Sequence, residues 1–232
     1  MTTAVRAALF DLDGTLVDSE VHTDTAIRVV AERHGFPGFT LPHSETRGRT
    51  WGYVADVMRA GTGMAGGTAA LAEELLVYWT GIAADVAPVP GAPEAIRDAA
   101  MRLPLGVVSS SPRAVIDSFL GKLGIADCVD PRARIGGDGV RASKPDPDGY
   151  LQGARALGVA PADCLVFEDS QAGLLAARAA GMRSMFVMCC AADIPGNSLL
   201  ATAACTDYRS LPPGFWDRVA DGSLDFAGKA YA

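Results

Sequence analysis

The chain opens on an unbroken apolar stretch. Ala4 to Phe10 contains one Arg and no other polar residue, which reads as a strand covered on both faces. The period then changes. Between Glu20 and Gly35, Ala26, Ile27, Val30 and Ala31 fall on one stripe at helical spacing, and Gly35 supplies the stop. Pro37 to Pro42 reads as a loop. Thr50 to Ala60 is helical through Val54, Val57 and Met58, Gly61 to Gly67 breaks it, and Ala69 to Ala84 forms a third helix. No strand pattern occurs between about residue 19 and residue 90. From Pro88-Val-Pro-Gly91 onward the period alternates. Helices are expected over Ala92–Arg102, Arg113–Leu123, Pro147–Leu157 and Ala172–Ala180, and strands over Leu105–Val108, Ala133–Ile135, Cys164–Phe167 and Met185–Met188. The last dozen residues, with Asp221, Gly222, Ser223 and Gly228, read as loosely held.

Alternating strands and helices predict an α/β fold, a Rossmann-like parallel sheet with helices on both faces. The all-helical stretch after the first strand predicts an inserted cap. The expected division is a core of 1–18 and 88–232 and a helical cap of 19–87.

Composition narrows the functional classes. The 232 residues carry 20 Lys plus Arg against 27 Asp plus Glu, a net charge of −7, with 49% hydrophobic residues. That balance is globular. Its acidity argues against a sequence-independent nucleic-acid binder, and no apolar run approaches the roughly 18–20 residues that span a bilayer. The N-terminus lacks the long apolar region of a signal peptide. Five cysteines, Cys128, Cys164, Cys189, Cys190 and Cys205, show no C-x-x-C pair. Adjacent Cys189 and Cys190 look poorly placed to bridge each other, so the expectation is reduced thiols in a cytoplasmic protein. A monomer or weak homodimer is expected.

The candidate chemistry sits just past the apolar runs. Asp11 and Asp13 follow the first strand, and Gly14 permits a sharp turn there. In an open α/β sheet, ligands bind outside the carboxyl ends of the strands. Two carboxylates at one such point repel unless a cation or shared proton offsets them, and Mg²⁺ prefers oxygen ligands; a solvated acidic turn capping a helix is the alternative. Leu105–Val108 runs into Ser109, Ser110 and Ser111, whose hydroxyls and helix-start N–H groups suit an oxyanion or an N-cap. Lys144 lies in a Pro-rich turn ahead of a helix. Cys164–Phe167 leads into Glu168 and Asp169, which fit a cation site or helix-start acids favoured by the dipole. Apolar strands of one sheet would bring these groups to one crevice.

Phe10-Asp-Leu-Asp-Gly-Thr15, Val108-Ser-Ser110, Lys144-Pro-Asp-Pro and Phe167-Glu-Asp-Ser-Gln-Ala-Gly173 resemble, in order, the four motifs of the haloacid dehalogenase superfamily. The resemblance spans about residues 4–210. It is to the branch with a helical cap between motifs one and two, which includes β-phosphoglucomutase and many sugar-phosphate phosphatases. It implies Asp11 as nucleophile, forming an aspartyl phosphate, and Asp13 as general acid and base. It implies Mg²⁺ held by Asp11, the Asp13 carbonyl and Asp169 with Glu168 close by. Ser109 and Lys144 would hold the phosphoryl oxygens, with Ser110 and Thr15 also facing the substrate. Haloacid hydrolysis itself needs no Mg²⁺, and the acid-rich fourth motif implies a metal, which disfavours a dehalogenase.

The cap is expected to choose the substrate, a small phosphorylated metabolite. It offers Glu20, His22, Arg47, Arg49, Thr50, Trp51 and Tyr53, and Gly48-Arg49-Thr50 is similar to the substrate-facing stretch of capped members, so Arg49 is the candidate contact. A phosphosugar mutase of the β-phosphoglucomutase kind is the alternative to a phosphatase. Thr15 stands where such mutases often have a β-branched apolar residue. Their cap histidine aligns with Thr23, while His22, one position away, is turned by about 100° on a helix. A phosphonatase would need a cap lysine, and no Lys precedes Lys122. The stretches Val107-Val-Ser-Ser-Ser-Pro112, Met101-Arg-Leu-Pro104 and Leu211-Pro-Pro-Gly-Phe-Trp216 are similar to bacterial sugar-phosphate and sugar-acid-phosphate phosphatases, including 6-phosphogluconate phosphatase. A non-catalytic binding protein of the same fold is a third reading, against which the intact motifs weigh.

Other patterns carry less. Gly61-Thr-Gly-Met-Ala-Gly66 fits G-x-G-x-x-G but follows a helix rather than a strand. His22, His34 and His43 have no zinc spacing. Ser109 to Ser111 lacks the glycines of a nucleophile elbow. Trp51, Tyr53, Tyr78 and Trp79 read as cap core rather than a base-stacking platform.

Overall fold

Strand β1 (Ala7–Phe10) is buried at every position, as a run without alternation requires when both sheet faces are covered. The computed structural model describes residues 4–192, 194–225 and 227–232. Strands β2 (Leu105–Val108), β3 (Arg134–Ile135), β4 (Cys164–Glu168), β5 (Arg183–Val187), β6 (Ala203–Cys205) and β7 (Ala230–Tyr231) join β1 in a seven-stranded sheet of order β3-β2-β1-β4-β5-β6-β7. Every pairing is parallel. Phe10 stands beside Val107 on one side and Phe167 on the other, so the ends of β1, β2 and β4 lie level at the point where strand order reverses.

The pleat divides the core by face. Phe10, Val107 and Phe167 pack with Ile116 and Leu120 of α5 (Arg113–Lys122) and Trp216 of α8 (Phe215–Ala220). Leu9, Val108 and Val166 pack with Tyr150 and Ala154 of α6 (Asp148–Leu157) and Ala176 and Ala177 of α7 (Gln171–Ala179). Helices therefore cover both faces.

Between β1 and β2 the chain forms α1 (Glu20–Arg33), α2 (Trp51–Thr62), α3 (Thr68–Ile82) and then α4 (Ala92–Ala100). Ile27, Val30, Val54, Met58 and Leu75 of the first three make their own apolar cluster. The chain leaves and re-enters the sheet side by side: Asp18 N–H donates to Ala87 C=O at 3.0 Å and Val89 N–H to Leu16 C=O at 2.9 Å. Trp79 behaves differently from a cap-core residue. It packs edge-on against Phe119 of α5, ring centroids 6.1 Å apart, and tilts on Trp51 at 6.0 Å, so it joins cap to core.

The tail departs from expectation. Rather than hanging loose, Leu224 is buried and Tyr231 meets Phe215 edge-on. Thr206 N–H donates to Tyr231 C=O at 2.8 Å. The tail covers the β6 edge, which an exposed strand requires; Phe226, within it, lies outside the described residues, as do Met1 to Thr3 and Asp193.

Candidate active site

Gly14 has φ +77, and a Cβ there would lie 2.3 Å from Asp169 Oδ2. Only glycine permits both the left-handed turn and the approach. The turn brings Thr15 Oγ1 to donate to Asp169 Oδ1 at 3.1 Å. Thr15 is thus placed behind the cleft, fully buried, where it orients Asp169.

The four constellations converge. Lys144 Nζ donates to Asp11 Oδ1 at 2.5 Å and to Glu168 Oε2 at 2.8 Å. Ser170 donates to Glu168 Oε1 from its hydroxyl at 2.7 Å and its N–H at 3.2 Å, and Tyr150 OH donates to Oε2. Both Glu168 oxygens are thus occupied. Asp13 is turned away from that group: Oδ1 accepts from Ser19 Oγ at 2.8 Å, and Oδ2 from Ser111 Oγ at 2.8 Å and Ser109 Oγ at 3.2 Å. Ser109 Oγ also accepts from Ser111 N–H at 2.9 Å.

Carboxylate oxygens of Asp11, Glu168 and Asp169 lie within 4.8 Å of one another, all buried. Burial, then the Glu168 charge, pushes Asp11 well above the usual carboxylate range against the pull of Lys144. Burial, Glu20 and Glu168 do the same to Asp169. Asp169 Oδ2 is buried without a hydrogen-bond partner. An orphaned acceptor among repelling carboxylates fits an oxygen-ligated divalent cation. Burial also raises Asp13, opposed by its serine hydrogen bonds. Burial pulls Lys144 down, but Asp11 and Glu168 outweigh it and hold the ammonium above its ordinary value.

A narrow cleft opens from Asp11 and Asp13 toward the cap, lined by Glu20, Thr23, Thr46, Arg49, Trp51 and Trp79 among others. Its walls are tied to the core. Ser110 Oγ donates to Gly48 C=O at 2.7 Å and Arg49 Nη1 to Lys144 C=O at 3.1 Å, with Arg49 over the Tyr53 ring at 4.6 Å. The Ser110 hydroxyl is therefore engaged with the cap. Arg47 Nε lies 3.7 Å from Glu20 Oε2. Burial drives Glu20 up to about 8, with Arg47 opposing and Asp13 adding.

Sequence reasoning did not single out Ser19 or Tyr150, and took Ser111 only as part of its serine run. Ser111 continues Ser109-Ser110 and Ser19 closes the first motif, so both lay beside a signal. Tyr150 sits on an otherwise ordinary helix, and only the fold turns it onto Glu168.

Gly173 tests how tightly this corner is built. A Cβ there would stand 2.0 Å from Glu168 Oε2. Gly173→Ala is expected to cost about 3 kcal/mol by overpacking a buried carboxylate, read as a lower urea midpoint at unchanged slope.

The profile of haloacid dehalogenase-like hydrolases matches residues 5–181. The chain is 37% identical over 193 residues to validoxylamine A 7'-phosphate phosphatase of Streptomyces hygroscopicus subsp. limoneus, covering 76% of this chain and 83% of that one. It is 30% identical over 180 residues to fructose-1-phosphate phosphatase YqaB of Escherichia coli, covering 77% and 94%. In fold it is similar to β-phosphoglucomutase of Clostridium difficile, with a TM-score of 0.79 at 22% identity over 94% and 98% of the two chains. The chain belongs to the haloacid dehalogenase-like hydrolases. Within them it is a phosphoric monoester hydrolase.

Proposed function

We propose that the chain is a Mg²⁺-dependent phosphatase of a small phosphorylated sugar or sugar acid, working through an aspartyl phosphate on Asp11, with residues 19–87 as the substrate-selecting cap. The observation that carries this reading is the buried contact of Lys144 with Asp11 beside the unpartnered Asp169 oxygen, where Asp11 and Asp13 line the cleft. Fructose-1-phosphate phosphatase and, at 32% identity, hexitol phosphatase B of Escherichia coli support the sugar class.

An Asp11 carboxylate oxygen attacks phosphorus. Asp13, raised by burial, gives its proton to the leaving oxygen. The Asp13 carboxylate then takes a proton from the water that attacks the aspartyl phosphate, which frees Asp11 and inorganic phosphate. The Lys144 ammonium and the Ser109 hydroxyl, which exchanges its Asp13 contact for the substrate, hold the phosphoryl oxygens. Asp11, Asp169 and the Asp13 carbonyl would hold Mg²⁺, with Glu168 alongside, and the cation supplies positive charge to the phosphoryl group. Thr23, which has no proton to shuttle near neutral pH, lines the cleft and favours hydrolysis over phosphoryl return to the sugar.

The cleft walls suit a hydroxylated leaving group. Glu20 is a buried acceptor, and Trp79 Nε1 is a buried donor with no acceptor. A sugar hydroxyl can serve both. Trp79→Phe is expected to raise KM for the preferred sugar phosphate about tenfold, the worth of one buried hydrogen bond, and to leave turnover of acetyl phosphate unchanged. Phosphate release from a panel of sugar, sugar-acid and nucleotide monophosphates, with Mg²⁺ or with chelator, tests the whole reading. Release from none of them overturns it.

A further inference from the structure

We propose that Cys189 and Cys190 form a thiol-modification site, a dithiol that closes to a disulfide by exchange with a small glutathione-type disulfide and whose state reaches the substrate cleft through Arg47. The consequence for catalysis rests on the phosphatase reading; the modification itself does not.

The two thiols lie in a turn just past the carboxyl end of β5, closed by Ala191 N–H donating to Met188 C=O at 3.1 Å. That turn brings the two free sulfurs to 3.4 Å, in contact but unbridged, as expected of adjacent reduced thiols. Cys189 is exposed and Cys190 half-buried. The Cys190 thiol as donor lowers Cys189, so Cys189 is the nucleophile of the pair. Buried Cys164 and Cys205 contrast with it: burial pushes their thiols up to about 11 and about 12.

The exchange balances. The Cys189 thiolate attacks one sulfur of the small disulfide, forming a mixed disulfide and expelling one thiolate. Cys190 loses its proton to solvent and attacks Cys189 Sγ, and the second small thiolate leaves. Two protein thiols are oxidised and one small disulfide is reduced to two thiols. Neighbouring Cα atoms stand about 3.8 Å apart, short of the usual span of about 4.4–6.8 Å for a bridge. The product is therefore strained and easily reduced, a reversible mark rather than a staple.

The coupling runs through the backbone of the same turn. Arg47 Nη1 donates to the Cys190 carbonyl. The same guanidinium pairs with Glu20, which lines the cleft. Drawing the sulfurs into a bond constrains the Cys189–Cys190 peptide and with it the Cα of Cys190, whose carbonyl Arg47 grips, and so shifts the partner of Glu20.

The full chain is incubated with oxidised glutathione, free thiols are blocked with iodoacetamide, and peptides are mapped by mass. A Cys189–Cys190 bond is expected. A stable glutathione adduct on Cys189, or two blocked thiols, overturns the site. Oxidation is then expected to raise KM for the preferred sugar phosphate about fivefold with kcat nearly unchanged, to be reversed by dithiothreitol, and to be absent in Cys190→Ser, whose basal activity is unchanged. A bond that forms without moving KM overturns the coupling. A chain that hydrolyses no ester at all fails the phosphatase reading instead, and mass mapping still decides the dithiol.

Discussion

Asp11→Asn is expected to lower phosphate release by about 10⁴-fold or more, the scale of losing a nucleophile, while the folded protein becomes no less stable. The two halves of that result have one cause. Asp11 sits buried beside Glu168 and Asp169, and that environment pushes its carboxyl well above the usual range. Folding therefore favours the protonated form over the charged one. In the metal-free protein the folded chain binds more protons than the unfolded one. The associated stability is full below the unfolded carboxyl value of about 4 and is lost as pH rises through the raised folded values of Asp11 and Asp169. A neutral amide removes one of the repelling charges, and Lys144 keeps Glu168 as a partner. In chelator at neutral pH the variant is expected to melt about 2–4 °C higher, the equivalent of about 1 kcal/mol. Added Mg²⁺ is expected to raise the melting temperature of the parent protein more than that of the variant. Equal activity in the variant would remove Asp11 from the chemistry. An equal Mg²⁺ shift would remove it from the cation site.

Much of this was legible because the informative residues sit at strand ends, where a run of apolar residues stops and chemistry begins. Phe10-Asp11, Val108-Ser109 and Phe167-Glu168 each mark such a stop, and the parallel sheet brings them level. The carboxyl-terminal part was harder. Ala203–Cys205 is a strand of three small residues, and Ala-rich sequence favours a helix as readily as a buried strand. Ala230–Tyr231 is held by backbone bonds to that strand, a long-range effect that no local pattern carries. At the site, residue types predicted which groups would meet but not how their hydrogen bonds would be shared. Ser110, expected to touch substrate, lines the cleft while its hydroxyl donates to Gly48. Thr15 was expected in the cleft, whereas its hydroxyl serves Asp169. Hydroxyls go to the nearest acceptor the backbone presents, and that geometry is tertiary.

Lys144→Met is expected to lower turnover less than Asp11→Asn does, but with the opposite effect on stability. Lys144 is buried between Asp11 and Glu168, at 2.5 and 2.8 Å. Methionine has a similar length and no charge, so the change removes the cation and leaves two buried carboxylates without it. Breaking a buried ion pair from one side costs about 3–5 kcal/mol, which unfolding in urea will register. Loss of a preorganised charge on the phosphoryl oxygens costs a further 10²–10³-fold, about, in kcat. A double-mutant cycle separates charge from packing. If the loss arises from uncompensated charge, adding Asp11→Asn to Lys144→Met restores part of the stability, and the coupling between the sites is favourable and above about 1 kcal/mol. If it arises from misfit of the methionine side chain, the two changes add, and the pair of carboxylates is not what Lys144 holds together. The pH dependence gives an independent sign. Without Lys144, nothing opposes the burial and the Glu168 charge that raise Asp11, so the variant gains stability as pH falls from neutrality and Asp11 takes up its proton. The parent protein, with the ammonium in place, gains less over the same interval.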